Sequence, residues 1–383
     1  MMASARRVHI LPGGSLTQMT ASRARPSTAR LSTCASTSSP KHLEVTRTYS
    51  RQRDAKLASA SSGSFRQIPV RCSDRSPQIS RFSTKGQQTS NPTIHDVFES
   101  KTGSWQYIVA DPDTSVAVII DPVLDYDPIS HKVDTKSADE LLAIVKDKGY
   151  KVDRILETHA HADHITAASY VQRKLQERQG HRPPICIGSR IGHVQDRFST
   201  RYSVPPEEYR TVFDKLLDDN EEFSIGNLKA TAVHIPGHTP DHMGYKIGDN
   251  VFTGDLIFYK DLGTARADFP GGSASQIYQS AQKILSMPDH VRVWVGHDYP
   301  PDGREPKSSM TVKEHRQENK HLKEGMTEAE FVKLRQERDA QLAAPKLLHQ
   351  SLQMNIRGGK LPQPNQDGQR MLHVPLKLGQ LSW

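Results

Sequence analysis

Thr158-His-Ala-His-Ala-Asp-His164 places three histidines and an aspartate within seven residues. It follows, after Glu157, the short run Val152 to Leu156, which reads as a strand, so the cluster sits at the end of a rigid element, where ligands and catalytic groups are commonly held. Close-set imidazoles repel one another when charged and gain nothing structural, which makes metal ligation the chemistry this spacing serves. Imidazole and carboxylate suit zinc and iron, and no thiolate is offered, which argues against a structural zinc-finger-like site.

Three further strand ends carry the same residue types. His238 stands in Pro236-Gly-His-Thr239, Asp255 in Phe252-Thr-Gly-Asp255, and His297 in Val295-Gly-His-Asp-Tyr299. Around them, 105–110 and 117–120 read as a hairpin across Asp111-Pro-Asp-Thr114. Ser137-Ala-Asp-Glu140 reads as a capping box opening a helix. A strand at 185–187 precedes a polar stretch expected to be helical to about residue 218. Two strands about Ile225-Gly-Asn227, a hairpin around Gly248-Asp-Asn250, a helix over 275–286 and a strand over 291–295 follow. Strand-rich halves each closed by helices predict two sheets packed between helix layers. Past residue 305, Thr311-x-x-Glu314 and Thr327-x-x-Glu330 open two more helices.

The front end is different. Residues 1–90 hold fifteen Lys+Arg against three Asp+Glu, whereas the rest of the chain holds 36 basic and 40 acidic residues. The net charge of +8 therefore belongs to this arm alone. Twelve of its basic residues are Arg, serine is abundant, aromatics are only Tyr49, Phe65 and Phe82, and no apolar run could form a core. That is the composition of an organelle import sequence. Mitochondrial-matrix import is expected, with a plastid as the alternative and a retained basic tail as the remaining reading. The slightly acidic body offers no surplus for phosphates, so no nucleic-acid partner is expected. No run of about 18 apolar residues exists, so no membrane span is expected. Cys34 and Cys72 lie in the arm and Cys186 in an apolar strand, so no disulfide framework follows. The domain expectation is a targeting arm and linker over 1–91, a catalytic domain over 92–304, and an extension over 305–383 packed on it.

The ordered motifs H-A-H-A-D-H, P-G-H-T, T-G-D and G-H-D resemble the metallo-β-lactamase superfamily. That resemblance implies an α+β fold, an αββα sandwich with the site at one edge between two mixed sheets, here with a C-terminal helical extension and a disordered N-terminal arm. In glyoxalase II-like thioesterases it implies one metal on His159, His161 and His238 and a second on Asp163, His164 and His297, bridged by Asp255. In persulfide dioxygenases it implies a single iron on His159, His238 and Asp255. His161, Asp163, His164 and His297 then orient ligands and bound water, Asp163 and His164 being the catalytic candidates.

The flanks point to the second branch. Thr264-Ala-Arg-Ala-Asp-Phe269 keeps the Arg, Asp and Phe of the dioxygenase segment C-G-R-x-D-F but lacks its Cys-Gly pair, and His297-Asp-Tyr299 matches H-D-Y. Asp261-Leu-Gly-Thr264, the run from Gly296 to Pro306 and the Leu352-Gln-Met-Asn-Ile-Arg-Gly-Gly359 tail resemble a subgroup labelled β-lactamase hydrolase-like and linked to bacterial sulfide detoxification. The expectation is one Fe(II) per chain oxidising glutathione persulfide with O2 to sulfite, with Arg266 and Tyr299 as substrate contacts. The alternative is a hydrolase of a glutathione thioester or related ester with one or two Zn(II). A homodimer is compatible, the tail either closing the pocket or pairing subunits.

Overall fold

The computed structural model describes residues 91–379. The import-type arm and its two cysteines lie outside the described residues. The first half runs β1 (Thr93–Glu99), β2 (Ser104–Ala110), β3 (Val116–Ile120), β4 (Val123–Tyr126), β5 (Val133–Asp134), α1 (Lys136–Asp147), β6 (Lys151–Leu156), β7 (Ile165–Thr166), α2 (Ala168–Gln179), β8 (Ile185–Gly188), α3 (Ile191–Tyr202) and β9 (Lys215–Leu217). The second runs β10 (Glu222–Ile225), β11 (Leu228–His234), β12 (Met243–Ile247), β13 (Asn250–Phe252), α4 (Ala274–Leu285), β14 (Arg292–Trp294), β15 (Ser309–Thr311), α5 (Val312–Glu318), α6 (Glu328–Asp339) and α7 (Leu348–Asn355).

Two six-stranded sheets result, ordered β1-β2-β3-β6-β8-β9 and β10-β11-β12-β13-β14-β15. Both are mixed. In the first, β3, β6, β8 and β9 pair in parallel behind an antiparallel β1-β2-β3 meander. In the second, only β13-β14 is parallel. Alternation along the strands sorts side chains into layers. Tyr107, Val109, Val118 and Ile120 point into the core shared with Ala230, Ala232, Tyr245 and Phe252 of the second sheet. Their neighbours Ile108, Ala110, Ala117 and Ile119 face Leu141, Leu142, Val171 and Leu175 of α1 and α2. Across the molecule, Val233, Val251 and Val293 meet Ile277, Ala281 and Phe331 of α4 and α6. This is the αββα sandwich.

Beyond residue 305 the chain stays inside this architecture. Strand β15 extends the second sheet, with Met310 opposite Val293. Thr311 and Thr327 each form the reciprocal capping box with Glu314 and Glu330. The box expected at Ser137 does not form: the helix begins at Lys136, and Ser137 donates its N–H and hydroxyl to the buried carboxylate of Asp125 instead. A tertiary acceptor there displaces the local one. The helix expected to reach residue 218 stops at Tyr202, where Ser203 takes a left-handed conformation, and the chain re-enters the first sheet as β9. No helix of the described residues is long and apolar enough to cross a membrane.

Candidate metal centre

All four motifs open at one edge of the sandwich. The loop after β6 brings His159, His161, Asp163 and His164; the β11–β12 turn brings His238; Asp255 follows β13 and His297 follows β14. Two motif glycines permit this convergence. Gly254 adopts φ +46°, and a Cβ on it would stand 2.5 Å from Thr158 Oγ1. A Cβ on Gly296 would stand 2.4 Å from Asp255 Oδ1. Only glycine lets the strand ends approach so closely.

Within the cluster, the ligand atoms of His159, His238 and Asp255 lie within 4.8 Å of one another, all three buried. Asp255 Oδ2 stands 3.9 Å from His159 Nε2 and 3.7 Å from His238 Nε2. His238 Nδ1 lies 2.8 Å from the carbonyl of Arg266, which fixes the N–H there and leaves Nε2 as a lone pair facing the cluster. His159 Nε2 is buried without a hydrogen-bond partner. Burial, then the neighbouring His161 and His242, push the His159 pKa well down, so its imidazole stays neutral and ready to donate to a cation. An orphaned buried imidazole nitrogen beside a second one and a carboxylate fits a divalent metal ion.

Among the other histidines, His297 and His161 face carboxylates, while ring nitrogens of His161 and His164 are also buried without a hydrogen-bond partner. His297 is clamped, with Nδ1 2.6 Å from Asp255 Oδ1 and Nε2 2.6 Å from Asp163 Oδ2 and 2.9 Å from Ser104 Oγ. Burial opposes charge on it, but Asp163 and Asp255 override burial and raise its pKa well above the usual value. The same pairing, against burial, holds Asp255 down to about 2 and Asp163 lower still. His161 Nε2 faces Asp121 at 3.2 Å and Glu157 at 3.6 Å. Burial lowers its pKa, yet the two carboxylates lift it to about 10. His164 has no such partner, and burial followed by His161 brings it to about 3. A second grouping, His161, Asp163 and His164, also lies within 4.8 Å, as does Asp121, Glu157 and His161.

Sequence reading missed three of these residues. Asp121 immediately follows β3 and accepts the N–H and hydroxyl of Thr158. Glu157 immediately precedes the cluster, accepts from Thr166, and is raised to about 7 by burial. His242 follows the P-G-H-T turn, and its Nε2 accepts from the Asp255 N–H at 3.1 Å. The visible signal for the first two is position alone, a carboxylate at a strand end. His234 is a structural residue, its Nε2 lying 3.1 Å from the Pro240 carbonyl.

Arg266 and Tyr299 line a cavity of about 730 Å³ that also reaches Asp163, His238 and Asp255. Tyr299 stacks on His297 at 16° with centroids 5.8 Å apart. The guanidinium fork of Arg266, expected to face substrate, is already engaged: Nε and Nη2 donate to Asp268 at 2.5 and 2.6 Å, and Nη1 to the Ala343 carbonyl. Asp298 is buried under Arg304 and the Lys307 N–H, a structural pin.

The profile of the metallo-beta-lactamase superfamily matches residues 101–297, and the chain belongs to that superfamily. Within it, the chain is 44% identical over 293 residues to a Beta-lactamase hydrolase-like protein of Xylella fastidiosa, covering 76% of this chain and 66% of that protein. It thus spans just under two thirds of that relative's length. It is 42% identical to Glyoxylase B2 of Dictyostelium discoideum, over 75% of this chain and 98% of that one. Similarity to the mitochondrial persulfide dioxygenase ETHE1 of Bos taurus is lower, 27% over 54% of this chain and 68% of that protein. The crystal structure of ETHE1 from Myxococcus xanthus superposes with a TM-score of 0.56 at 26% identity, over 70% of this chain and all of that one.

Proposed function

We propose that the chain is a persulfide dioxygenase, oxidising glutathione persulfide with O2 to sulfite and glutathione at one iron held by His159, His238 and Asp255. The observation that carries this reading is the division of the histidines. Two imidazoles and one oxygen of Asp255 face a common point, whereas His161 and His297 direct ring nitrogens at carboxylates. Two histidines and a carboxylate suit Fe(II) and leave coordination positions open. Iron there would supply the redox chemistry by which O2 and a persulfide sulfur react.

The chain's own residues bind, orient and move protons. The overall reaction takes up one water and yields glutathione, hydrogen sulfite and one proton. Asp163, linked through His297 to Asp255, is the ionised carboxylate at the cavity, placed to accept a hydrogen bond from water there. His164, kept neutral by burial, orients water beside it. Leu262, Phe258 and Ala265 give the cavity an apolar wall that keeps bulk water from the reacting sulfur. Tyr299 is assigned as a substrate contact, and Arg266 as the residue that fixes the loop whose carbonyl orients His238. The basic arm would direct the enzyme to the mitochondrial matrix.

The second reading is a zinc or mixed-metal hydrolase of a glutathione thioester or related ester. It is favoured by the His161, Asp163 and His164 grouping and by the names of the relatives above 40% identity. The test is O2 uptake by the protein loaded anaerobically with Fe(II), with a zinc-loaded control. Uptake with sulfite formed only in the iron sample supports the dioxygenase. Absence of uptake despite one bound iron, with thioester hydrolysis by the zinc form, sinks it.

A further inference from the structure

The cavity over the metal centre is asymmetric in charge. Asp163 and Asp255 stand at its metal end, whereas its remaining wall carries Lys101, Arg266, Arg335, Arg338 and Lys346. Two of these cations are already answered. Arg266 is bound bidentately to Asp268. Arg335, fully buried on α6, pairs with Asp339, which also accepts the Ala267 N–H, and donates Nη1 to the Thr264 carbonyl. The remaining carboxylate of the wall, Asp127, is turned onto the N–H groups of Ile129 and Ser130.

Arg338 is different. It lies one turn beyond Arg335 on the same face of α6, is half-buried, and has no carboxylate within ion-pair distance among the described residues. Its Nη1 lies 3.3 Å from Nε2 of the neutral His321 ring. The Nδ1 of His321 accepts the Thr264 N–H at 3.1 Å, so the neutral ring carries its proton on Nε2 and offers the guanidinium no acceptor. Burial and then Arg335 lower its pKa, and the neighbouring Asp339, already paired with Arg335, only partly offsets them. The Nε of Arg335 is itself buried without a partner. Lys346 is exposed at the cavity edge. A cationic cradle without its anion, facing the cavity that reaches the reacting centre, is built for an anionic group of the ligand.

We propose that Arg338, backed by Arg335 and flanked by Lys346, forms the subsite that binds a carboxylate of the thiol carrier, so that α6 of the C-terminal segment sets substrate specificity. The inference rests on the reading above only in placing the carrier in this cavity; it holds for persulfide oxidation and thioester hydrolysis alike.

The experiment uses the full chain loaded with iron, comparing Arg338→Ala and Arg338→Lys with wild type on glutathione persulfide and on its diethyl ester. Losing a charge-assisted contact raises KM for the acid roughly 10- to 100-fold in Arg338→Ala, with kcat within about twofold. The diester is expected to show no such change, and Arg338→Lys to recover part of the loss. Binding of glutathione and its diester to the metal-free protein by calorimetry gives the same contrast without turnover. A failed dioxygenase reading is thereby distinguished from a failed subsite. Should Arg338→Ala not fold, the wild-type preference for acid over diester and its weakening in Arg338→Lys decide the matter. Equal KM shifts for acid and diester, no shift for either, or a wild type that binds both equally would overturn the proposal.

Discussion

Asn355, at the end of α7, holds the histidine loop from a distance of nearly two hundred residues. Its Nδ2 donates to the carbonyls of His161 and His164, both at 2.8 Å, and its Oδ1 accepts the Thr166 N–H at 2.9 Å. All four residues are buried. Replacing Asn355 by Ala removes three hydrogen bonds of about 1 kcal/mol net each and leaves two carbonyls and an N–H unpaired, so the loss is roughly 3–5 kcal/mol. At roughly 2–4 °C per kcal/mol for a domain of this order, the melting temperature falls by roughly 6–20 °C. Asn355→Asp is expected to be at least as damaging at neutral pH. It keeps the acceptor for Thr166 but turns an ionised oxygen toward two carbonyl oxygens. The assay is calorimetric melting of the apo and metal-loaded proteins, followed by metal titration. Because the loop carries His159, metal affinity should weaken together with stability. A shift under 2 °C in both variants, with metal affinity unchanged, would refute the view that α7 supports the site.

Three other outcomes are expected. Asp255→Ala abolishes metal binding and turnover, whereas His164→Ala keeps one metal per chain by mass spectrometry or elemental analysis; loss of half of two bound metals in His164→Ala favours the binuclear reading. Gly254→Ala forces a Cβ into Thr158 at a positive φ, and is expected to lower both stability and metal content, read by melting and elemental analysis. Burial lowers His315 to about 4, below its unfolded value of about 6.5. The folded state thus disfavours its proton, and the stability it contributes is present above pH 6.5 and lost as pH falls toward 4. That is about 3 kcal/mol at full extent. His315→Phe should flatten this part of the acid-induced fall in melting temperature, and an unchanged profile would count against it.

Much of the site was legible because the motifs sit at strand ends and strands declare themselves by alternation. Tyr107, Val109 and Val118 against Ile108, Ala117 and Ile119 show a two-residue period that any two-layer sandwich imposes. What the sequence hid depends on partners far along the chain. Ser137 caps nothing because Asp125 outcompetes Glu140 for it. Likewise, the fork of Arg266 appears open in sequence, yet Asp268 stands two residues on and Ala343 is brought in by the turn after α6. The tail was legible as a resemblance but not as a support, since nothing local to Leu352-Gln-Met-Asn355 shows that Asn355 reaches the carbonyls of the metal loop.

The number of metals then becomes a competition that the buried carboxylates enter. A second ion would have to take Asp163 and His297 from an arrangement in which both imidazole nitrogens lie 2.6 Å from carboxylate oxygens. It would also have to draw on His161 or His164, and His161 is directed at Asp121 and Glu157. Taking Asp163, His297 or His161 breaks a buried charge-assisted contact, which is costly unless the cation replaces it fully, whereas His164 Nδ1 has no hydrogen-bond partner to lose. At His159 and His238 no equivalent contact is lost, because their Nε2 atoms stand 3.9 and 3.7 Å from Asp255 Oδ2, beyond hydrogen-bond distance, and His159 Nε2 is buried without a partner. The first ion therefore enters where no charge-assisted contact has to be broken. Glu157→Gln tests the rest of the argument. Weakening the carboxylate hold on His161 should raise occupancy at a second position under excess zinc, with the first unchanged. If two zinc ions bind the wild type as tightly as they bind Glu157→Gln, the carboxylates play no part in setting the count.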